Sequence, residues 1–319
     1  MASTLLKPQT LNEPTIHQLP NGLTIVAEQM PVEAVNLNIW LNVGSALESD
    51  GINGMAHFLE HMVFKGTPTL EIGEFERLIE ERGAVTNAAT SQDYTHYYIT
   101  TAPQDFAQLA PLQLDVVLNP SINDDAFNRE RMVVLEEIRR CEDNPRRRTF
   151  YRAMETCFNY LPYRRPVLGP SSVIEQLKPQ QMRDFHGYWY QPSSMTAAVV
   201  GNLPVEELIE IVAEGFNDAQ STSKNPTPPV SPQPPYNPPK GIWGKSNPPC
   251  ITPRGEIQSP LYPLNPPIIP QGGYGGNLKS LAPEPAFREI IRREYVDESL
   301  QQARLVMVWR VPGITQLSQ

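Results

Sequence analysis

A proline-rich tract separates this 319-residue chain into two unequal parts. Eighteen of its 34 prolines lie between Asn225 and Pro285, together with several Pro-Pro pairs and a glycine-rich patch at 272–276. Because proline fixes φ and has no amide hydrogen to donate, such a tract cannot build a packed core of helices and strands. We therefore expect an extended, semi-rigid linker over 221–285, and we favour a spacer over a ligand for proline-binding modules.

The residues before the tract have the hydrophobic pattern of one folded domain, predicted over 14–220 after an N-terminal tail of residues 1–13. The Asn21-Gly22 pair predicts a hairpin, and so does Gln92-Asp93 between two β-rich runs. Strands follow helices in uneven order, which predicts an α+β fold: a mixed, largely antiparallel sheet with helices packed on one face. Further strands are predicted from Val35 and at 195–201, and helices at 55–65, 71–82, 105–118, 123–142, 147–159, 171–177, 179–188 and 204–216.

Residues 286–319, after the tract, resemble the first strands of a second domain. Apolar residues stand in strand-like context there, among them Phe287, Ile290, Leu305, Met307 and Trp309. About 30 residues cannot bury a core of their own. We therefore expect this second domain to be incomplete in the present chain.

Composition excludes several classes of partner. The net charge of −9 argues against nucleic acid, since phosphate binding needs a basic surface. No apolar run is long enough to enter a membrane, and the N-terminus resembles neither a secretory signal nor an arginine-rich mitochondrial presequence. Cys141, Cys157 and Cys250 are odd in number and form no CxxC pair, which predicts free thiols in a reducing compartment. A cytoplasmic location is therefore expected.

The segment His57-Phe58-Leu59-Glu60-His61 carries the chemistry. On a helix His57 and His61 lie one turn apart on one face, so both imidazoles can reach one zinc ion. Glu60 borders that face and can contact a water on the metal. This HxxEH order is the signature of the inverzincin peptidases, and we favour it over a helix with two incidental histidines.

Two histidines need one more protein ligand to hold a catalytic zinc ion and leave a position open for water. A predicted helix further along the chain offers Glu130, Glu136 and Glu137. Glu130 and Glu137 are seven residues apart and share a face, whereas Glu136 points about 100° away from Glu137. Spacing alone does not choose between Glu136 and Glu137.

Three segments together resemble one family: GINGMAHFLEHMVFKGT, GAVTNAATSQDYTHYY and RERMVVLEEI. They are similar to the pitrilysin–insulinase–mitochondrial processing peptidase family of zinc metallopeptidases, over roughly residues 14–216. The resemblance implies that Glu137 is the third zinc ligand. It also implies that Glu130 is a supporting carboxylate, which belongs with Glu60 among the catalytic groups.

The resemblance further implies that the substrate binds as an added strand on a sheet edge formed by Asn87, Ala88, Ala89 and Thr90. Zinc would lower the pKa of a water and polarise the scissile carbonyl, with Glu60 as the general base. No nucleophilic serine or cysteine is required.

Members of this family resemble a clamshell of two similar domains, of which the second carries substrate-binding groups. The present chain has only the opening of that second domain. Two functions are therefore expected as alternatives. The first is a zinc endopeptidase that hydrolyses peptides or processes unfolded precursor segments. The second is a non-catalytic or partner-dependent subunit, completed by a second peptidase-like subunit or domain.

Overall fold

The computed structural model describes residues 13–222, 289–299 and 302–310. The predicted N-terminal tail and proline-rich linker lie almost wholly outside these described residues, as do Cys250 and Phe287. Cys141 and Cys157 are buried free thiols, as the sequence predicts for these two.

The described part of the chain contains six strands, eight α-helices and four short 3-10 helices. The strands are β1 (Thr15–Gln18), β2 (Thr24–Gln29), β3 (Val35–Leu41), β4 (Val85–Thr90), β5 (Thr95–Thr101) and β6 (Met195–Gly201). The helices are α1 (Met55–Val63), α2 (Glu74–Glu81), α3 (Pro103–Leu118), α4 (Asp124–Asp143), α5 (Pro145–Cys157), α6 (Ser171–Ile174), α7 (Pro179–Trp189) and α8 (Val205–Thr222).

The strands form one sheet in the order β1-β2-β6-β3-β5-β4. Only the β2–β6 pair is parallel among the pairs in this sheet, and the other four are antiparallel. The predicted mixed, largely antiparallel sheet is thereby confirmed, together with both predicted hairpins. Since β4 is the last strand, one of its two edges has no neighbouring strand among the described residues.

The core lies on one face of this sheet. Along β3, Val35, Leu37, Ile39 and Leu41 are fully buried, whereas the alternating Asn36, Asn38 and Trp40 are half-buried. Helices α3 and α8 pack against each other and cover the buried face. A strand with one covered face shows this period of two, and the predicted α+β architecture is confirmed.

Three helix boundaries differ from their predictions by three residues or more, and the others agree within two residues. Helix α2 begins at Glu74 rather than at residue 71, because Gly73 has a left-handed φ of 82° that cannot continue a right-handed helix. Helix α6 ends at Ile174 instead of residue 177. Helix α8 continues past residue 216 to Thr222, since buried Ala219 extends the apolar face that includes Phe216.

The predicted strands after the linker are not present in the described residues 289–299 and 302–310. Strands need a hydrogen-bonded neighbour, and these segments instead lie beside α5. Arg148 of α5 makes a two-nitrogen ion pair with Asp297 at 2.7–2.9 Å, and the Arg152 guanidinium lies 4.7 Å from the ring centre of Tyr295. The apolar residues here stay exposed, among them Leu305 and Trp309.

Candidate metal centre

Helix α1, which carries the HxxEH residues, begins against a buried carboxylate. Glu48 accepts hydrogen bonds from the amide nitrogens of Gly54 at 2.8 Å and Ala56 at 2.7 Å, and from the Asn53 side chain at 2.9 Å. Burial raises the pKa of Glu48, although these bonds and Arg165 act in the opposite direction. Because an anion here satisfies unpaired amides of the first helical turn, Glu48 fixes the start of α1 just before its first histidine.

His57 and His61 lie one turn apart on α1, with ring centres separated by 4.8 Å. The His57 side chain is buried and that of His61 is mostly buried. Glu137 approaches both from α4: its Oε2 atom lies 3.4 Å from His57 Nε2 and 3.5 Å from His61 Nε2. The ligand atoms of these three residues lie within 4.8 Å of one another.

This donor set fits a zinc ion. Two ligands that each bind zinc at about 2.0–2.1 Å in a tetrahedral arrangement stand about 3.4 Å apart. The two nitrogen-to-Oε2 distances match that separation, and they exceed the 2.7–3.2 Å typical of N–H···O hydrogen bonds. Two imidazoles and one carboxylate are also the ligand chemistry of catalytic zinc sites that leave a position open.

The structure brings Glu137, and not its neighbour Glu136, to the two histidines. Glu136 points along the other side of α4, where Arg139 and Arg140 donate hydrogen bonds to it at 2.8–3.1 Å. Those bonds lower the pKa of Glu136 to about 2. Residue spacing does not choose between Glu136 and Glu137. In the structure only the Glu137 side chain leaves α4 in the direction of the two histidines.

Glu130 lies two helical turns before Glu137 on the same face of α4. It contacts the Nδ1 side of the His61 ring. Its Oε1 atom accepts a hydrogen bond from His61 Nδ1 at 3.0 Å, and its Oε2 atom lies 2.9 Å from Lys65 Nζ. Burial acts to raise the pKa of Glu130, but His61 and Lys65 together hold it below its ordinary value. An ionised Glu130 accepts from Nδ1, which leaves Nε2 of His61 facing Glu137.

Two carboxylates, those of Glu130 and Glu137, contact His61. Burial acts to lower the pKa of His61, but its contacts with Glu130 and Glu137 raise that pKa to about 9. The contacts with His57 and His61 hold the pKa of Glu137 well below its ordinary value, despite burial. Without a metal ion, His61 therefore keeps a proton at neutral pH beside the ionised Glu137, and a bound cation would displace that proton.

Glu60 lies beside the metal cluster, half-buried, and meets the edge strand of the sheet. The Thr90 hydroxyl donates a short hydrogen bond to its Oε2 atom. Asn87 and Ala89 are exposed on β4, whereas Ala88 and Thr90 are half-buried. The residues predicted to bind substrate thus lie together on the edge strand, and their role stays a prediction.

Sequence reasoning missed three side chains at this site: Glu48, Lys65 and the hydroxyl of Thr90. Lys65 follows His61 by four residues, so helical spacing contains a signal for it. For Thr90 the sequence predicts only main-chain hydrogen bonds to a substrate. Glu48 lies before α1 in irregular structure, where spacing carries no information about what its side chain contacts.

Among the described residues, no helix is both long and apolar enough to cross a bilayer.

Two family models match the chain: Insulinase (Peptidase family M16) over residues 24–171, and the Peptidase M16 inactive domain over residues 176–246. The first match contains all the site residues described above. The second covers β6 and α8 and runs on into the proline-rich tract.

Relatives and solved structures agree with these matches. The chain is 34% identical to an uncharacterised zinc protease of Mycobacterium leprae over 66% of its own length and 48% of the relative. It is 32% identical to a probable mitochondrial-processing peptidase subunit beta of Arabidopsis thaliana, over 66% and 40% of the two chains. The crystal structure of a protease from Helicobacter pylori matches with a TM-score of 0.64 and 30% identity, over 66% and 51%.

The chain therefore spans about half the length of the relatives that it matches. The resemblance inferred from three sequence segments is confirmed by family models, relatives and fold alike. The chain belongs to peptidase family M16, the insulinase family.

Proposed function

We propose that this protein is a zinc-dependent endopeptidase that hydrolyses peptides or unfolded segments of precursor proteins. The observation that supports it best is the convergence of His57 Nε2, His61 Nε2 and Glu137 Oε2 at the separation expected for zinc ligands. The zinc protease and processing peptidase among the relatives support the same activity.

In this proposal His57, His61 and Glu137 hold the zinc ion. Zinc would supply Lewis acidity at the scissile carbonyl and make an attacking water easier to deprotonate. Glu130 orients His61 through the Nδ1 hydrogen bond. The zinc-binding peptidase domain is proposed to comprise residues 14–220.

Glu60 acts as the general base in this proposal. It accepts a proton from the attacking water and later passes it to the leaving amine. The hydrogen bond from Thr90 holds one carboxylate oxygen of Glu60 and leaves the other for the water. No step needs a covalent intermediate with the protein.

The proposed place for the substrate is the edge of β4 that has no neighbouring strand in the described part of the chain. An extended peptide added beside Asn87, Ala88, Ala89 and Thr90 would pair by main-chain hydrogen bonds, which select for extended shape more than for sequence. Because Thr90 contacts Glu60, a strand on this edge passes next to the proposed base. The proposed substrates are therefore extended or unfolded peptide segments.

The test compares Glu60→Gln with wild type for two quantities. Zinc content should be unchanged, because Glu60 is not a ligand, whereas hydrolysis of a quenched fluorescent peptide should fall by at least about 10²-fold. Glu80→Gln, at an exposed position of α2, is the matched control and should keep full activity. An unchanged rate in Glu60→Gln would remove Glu60 from the mechanism.

A partner-dependent subunit is the second candidate function. It is favoured by exposed apolar side chains in the segment after the linker, where Leu305, Met307 and Trp309 are 84%, 65% and 71% exposed. Such a row is typical of a surface that another domain or chain covers. In this version a second peptidase-like subunit or domain completes the substrate chamber.

We also propose a cytoplasmic location, supported by the free thiols of Cys141 and Cys157. The Arabidopsis relative is mitochondrial by name, so family membership does not favour one compartment. Microscopy of the tagged full-length protein would decide, and co-localisation with an organelle marker would contradict the proposal.

A further inference from the structure

Lys65 reaches the proposed zinc site from behind, through Glu130. It lies two residues after α1, where its amide donates to the Met62 carbonyl at 3.0 Å and continues the last helical turn. Its Nζ atom lies 2.9 Å from Glu130 Oε2. The pair joins the end of α1 to α4, the two helices that carry the three proposed ligands.

We propose that Lys65 is a positioning residue for zinc binding, acting through Glu130 on His61; this rests on the proposed zinc site. The chain of contacts is continuous. Lys65 Nζ binds one oxygen of Glu130, the other oxygen accepts from His61 Nδ1, and His61 Nε2 faces Glu137. Both carboxylate oxygens of Glu130 therefore have a hydrogen-bonding partner.

Geometry explains why the ammonium group matters. A glutamate carboxylate that is bound through only one oxygen can rotate about χ3, because this torsion has a broad distribution of allowed angles. Lys65 removes this freedom by binding the second oxygen, so Oε1 stays aligned with Nδ1. The His61 ring is then fixed in the orientation and tautomer that present a lone pair on Nε2.

Charge leads to the same role. The Glu130 side chain is only 11% exposed, and an unpaired carboxylate at such depth is costly. Lys65 is 30% exposed, so its ammonium group keeps partial contact with water while its charge offsets that of Glu130. Removal of Lys65 therefore leaves Glu130 free to move toward other donors and away from His61.

The experiment measures the zinc dissociation constant of the full chain by competition with a chromophoric chelator. Lys65→Met should weaken zinc binding by about 10- to 100-fold, the range usual for groups that orient a ligand. Lys65→Arg keeps the charge and should restore most of the affinity. Lys178→Met, at an exposed lysine beside α7, should bind zinc like wild type.

A double-mutant cycle tests whether Lys65 acts through Glu130. Once Glu130→Gln has removed the carboxylate, adding Lys65→Met should weaken zinc binding by less than about 2-fold further. Full additivity of the two changes would overturn the inference, since it would mean that Lys65 acts by another route. If Lys65→Met does not fold, Lys65→Gln gives the same comparison with a polar end.

The outcomes separate this inference from the proposed function. If wild type binds zinc tightly and Lys65→Met binds it equally well, only the role of Lys65 is overturned. If wild type binds no zinc at all, the proposed metal centre fails and the role of Lys65 fails with it. The melting temperature of the zinc-free variants, compared with zinc-free wild type, shows whether a loss of affinity reflects unfolding.

Discussion

Thr90 on the edge strand β4 donates its hydroxyl hydrogen to the carboxylate of Glu60 on helix α1. Behind it, Thr95 is fully buried and donates to the Val43 carbonyl at 2.9 Å, with its own oxygen 3.5 Å from the Thr90 hydroxyl. The sheet edge and the proposed base are therefore one connected unit. A substrate strand placed on this edge is positioned relative to Glu60 by the same residue that orients Glu60.

Thr90→Val should lower kcat for peptide hydrolysis by about 10-fold and change KM little. Valine keeps the shape of threonine but cannot donate, so Glu60 loses its fixed orientation while the strand edge remains. Steady-state kinetics with a fluorescent peptide measures both constants. Thr90→Ser keeps the hydroxyl and should restore most of the rate, whereas an equal loss in both variants would point to packing instead.

Glu137→Gln should weaken zinc binding by at least about 10²-fold, and Glu136→Gln by less than about 3-fold. The two residues are adjacent, but only Glu137 faces the histidines, while Glu136 is bound by Arg139 and Arg140. Zinc content after dialysis against a weak chelator measures the difference. Loss of metal in Glu136→Gln alone would contradict the arrangement described here.

The fold and the metal-binding motif were predictable because both are periodic. Alternation along β3 and the four-residue spacing of His57 and His61 are local patterns, and local patterns survive in a sequence. The direction of Glu137 relative to Glu136 needed either the family resemblance or the structure. The contact between Thr90 and Glu60 spans 30 residues and depends on how α1 packs on β4, which no local spacing encodes.

The strands predicted after the linker are a case in which a local pattern predicts the wrong structure. The continuous apolar run from Leu305 to Trp309 is typical of a buried strand, but pairing requires a neighbouring strand that the described residues do not supply. The segment lies instead beside α5, next to Arg148 and its ion pair with Asp297. The residue types of this segment permit a strand, but the elements packed beside it determine whether a strand forms.

Glu48→Gln should lower the free energy of unfolding by about 1–3 kcal/mol and also weaken zinc binding. The glutamine amide can replace only part of the three hydrogen bonds that the carboxylate accepts, and a buried amide group is left without a partner. Urea unfolding and zinc competition measure the two effects. Glu80→Gln is the control, and equal stability of both variants would show that α1 starts without help from Glu48.

His186 should make the protein less stable as the pH falls from about 6.5 to about 4. Its Nε2–H donates to the Val117 carbonyl at 2.9 Å, and burial lowers its pKa to about 4 despite that bond. The unfolded chain takes up a proton near the ordinary value of 6.5, while the folded chain stays neutral until about pH 4. The contribution of His186 to the free energy of unfolding is therefore complete above pH 6.5 and declines as the pH falls below 6.5.

Urea unfolding of wild type and His186→Gln at pH 7.5 and pH 4.5 isolates that contribution. Wild type should lose about 1–3 kcal/mol more than the variant between the two pH values, since glutamine does not titrate. The carboxylates titrate equally in both proteins, so their contribution to the pH dependence cancels in the comparison. Equal losses would mean that His186 is protonated in the folded protein as easily as in the unfolded chain.

The 319-residue chain alone should hydrolyse peptides weakly, and a separately expressed second peptidase-like domain should raise its activity. The chain spans about half the length of its relatives, and the proposed substrate edge of β4 would hold a peptide from one side only. A misplacement of about 1 Å at the reacting atoms can cost about 10²-fold in rate, so a strand held on one side is poorly positioned. Exposed Leu305, Met307 and Trp309 offer a surface for the added domain to cover.

Turnover of a quenched fluorescent peptide is measured with the purified chain, with and without the added domain, using Glu60→Gln as the blank. Stimulation that disappears in Leu305→Ser would place the contact on the exposed apolar row. Rapid turnover by the purified monomer that the added domain leaves unchanged would contradict this prediction. It would show that one zinc-binding domain positions a peptide sufficiently through the β4 edge and the contact between Thr90 and Glu60.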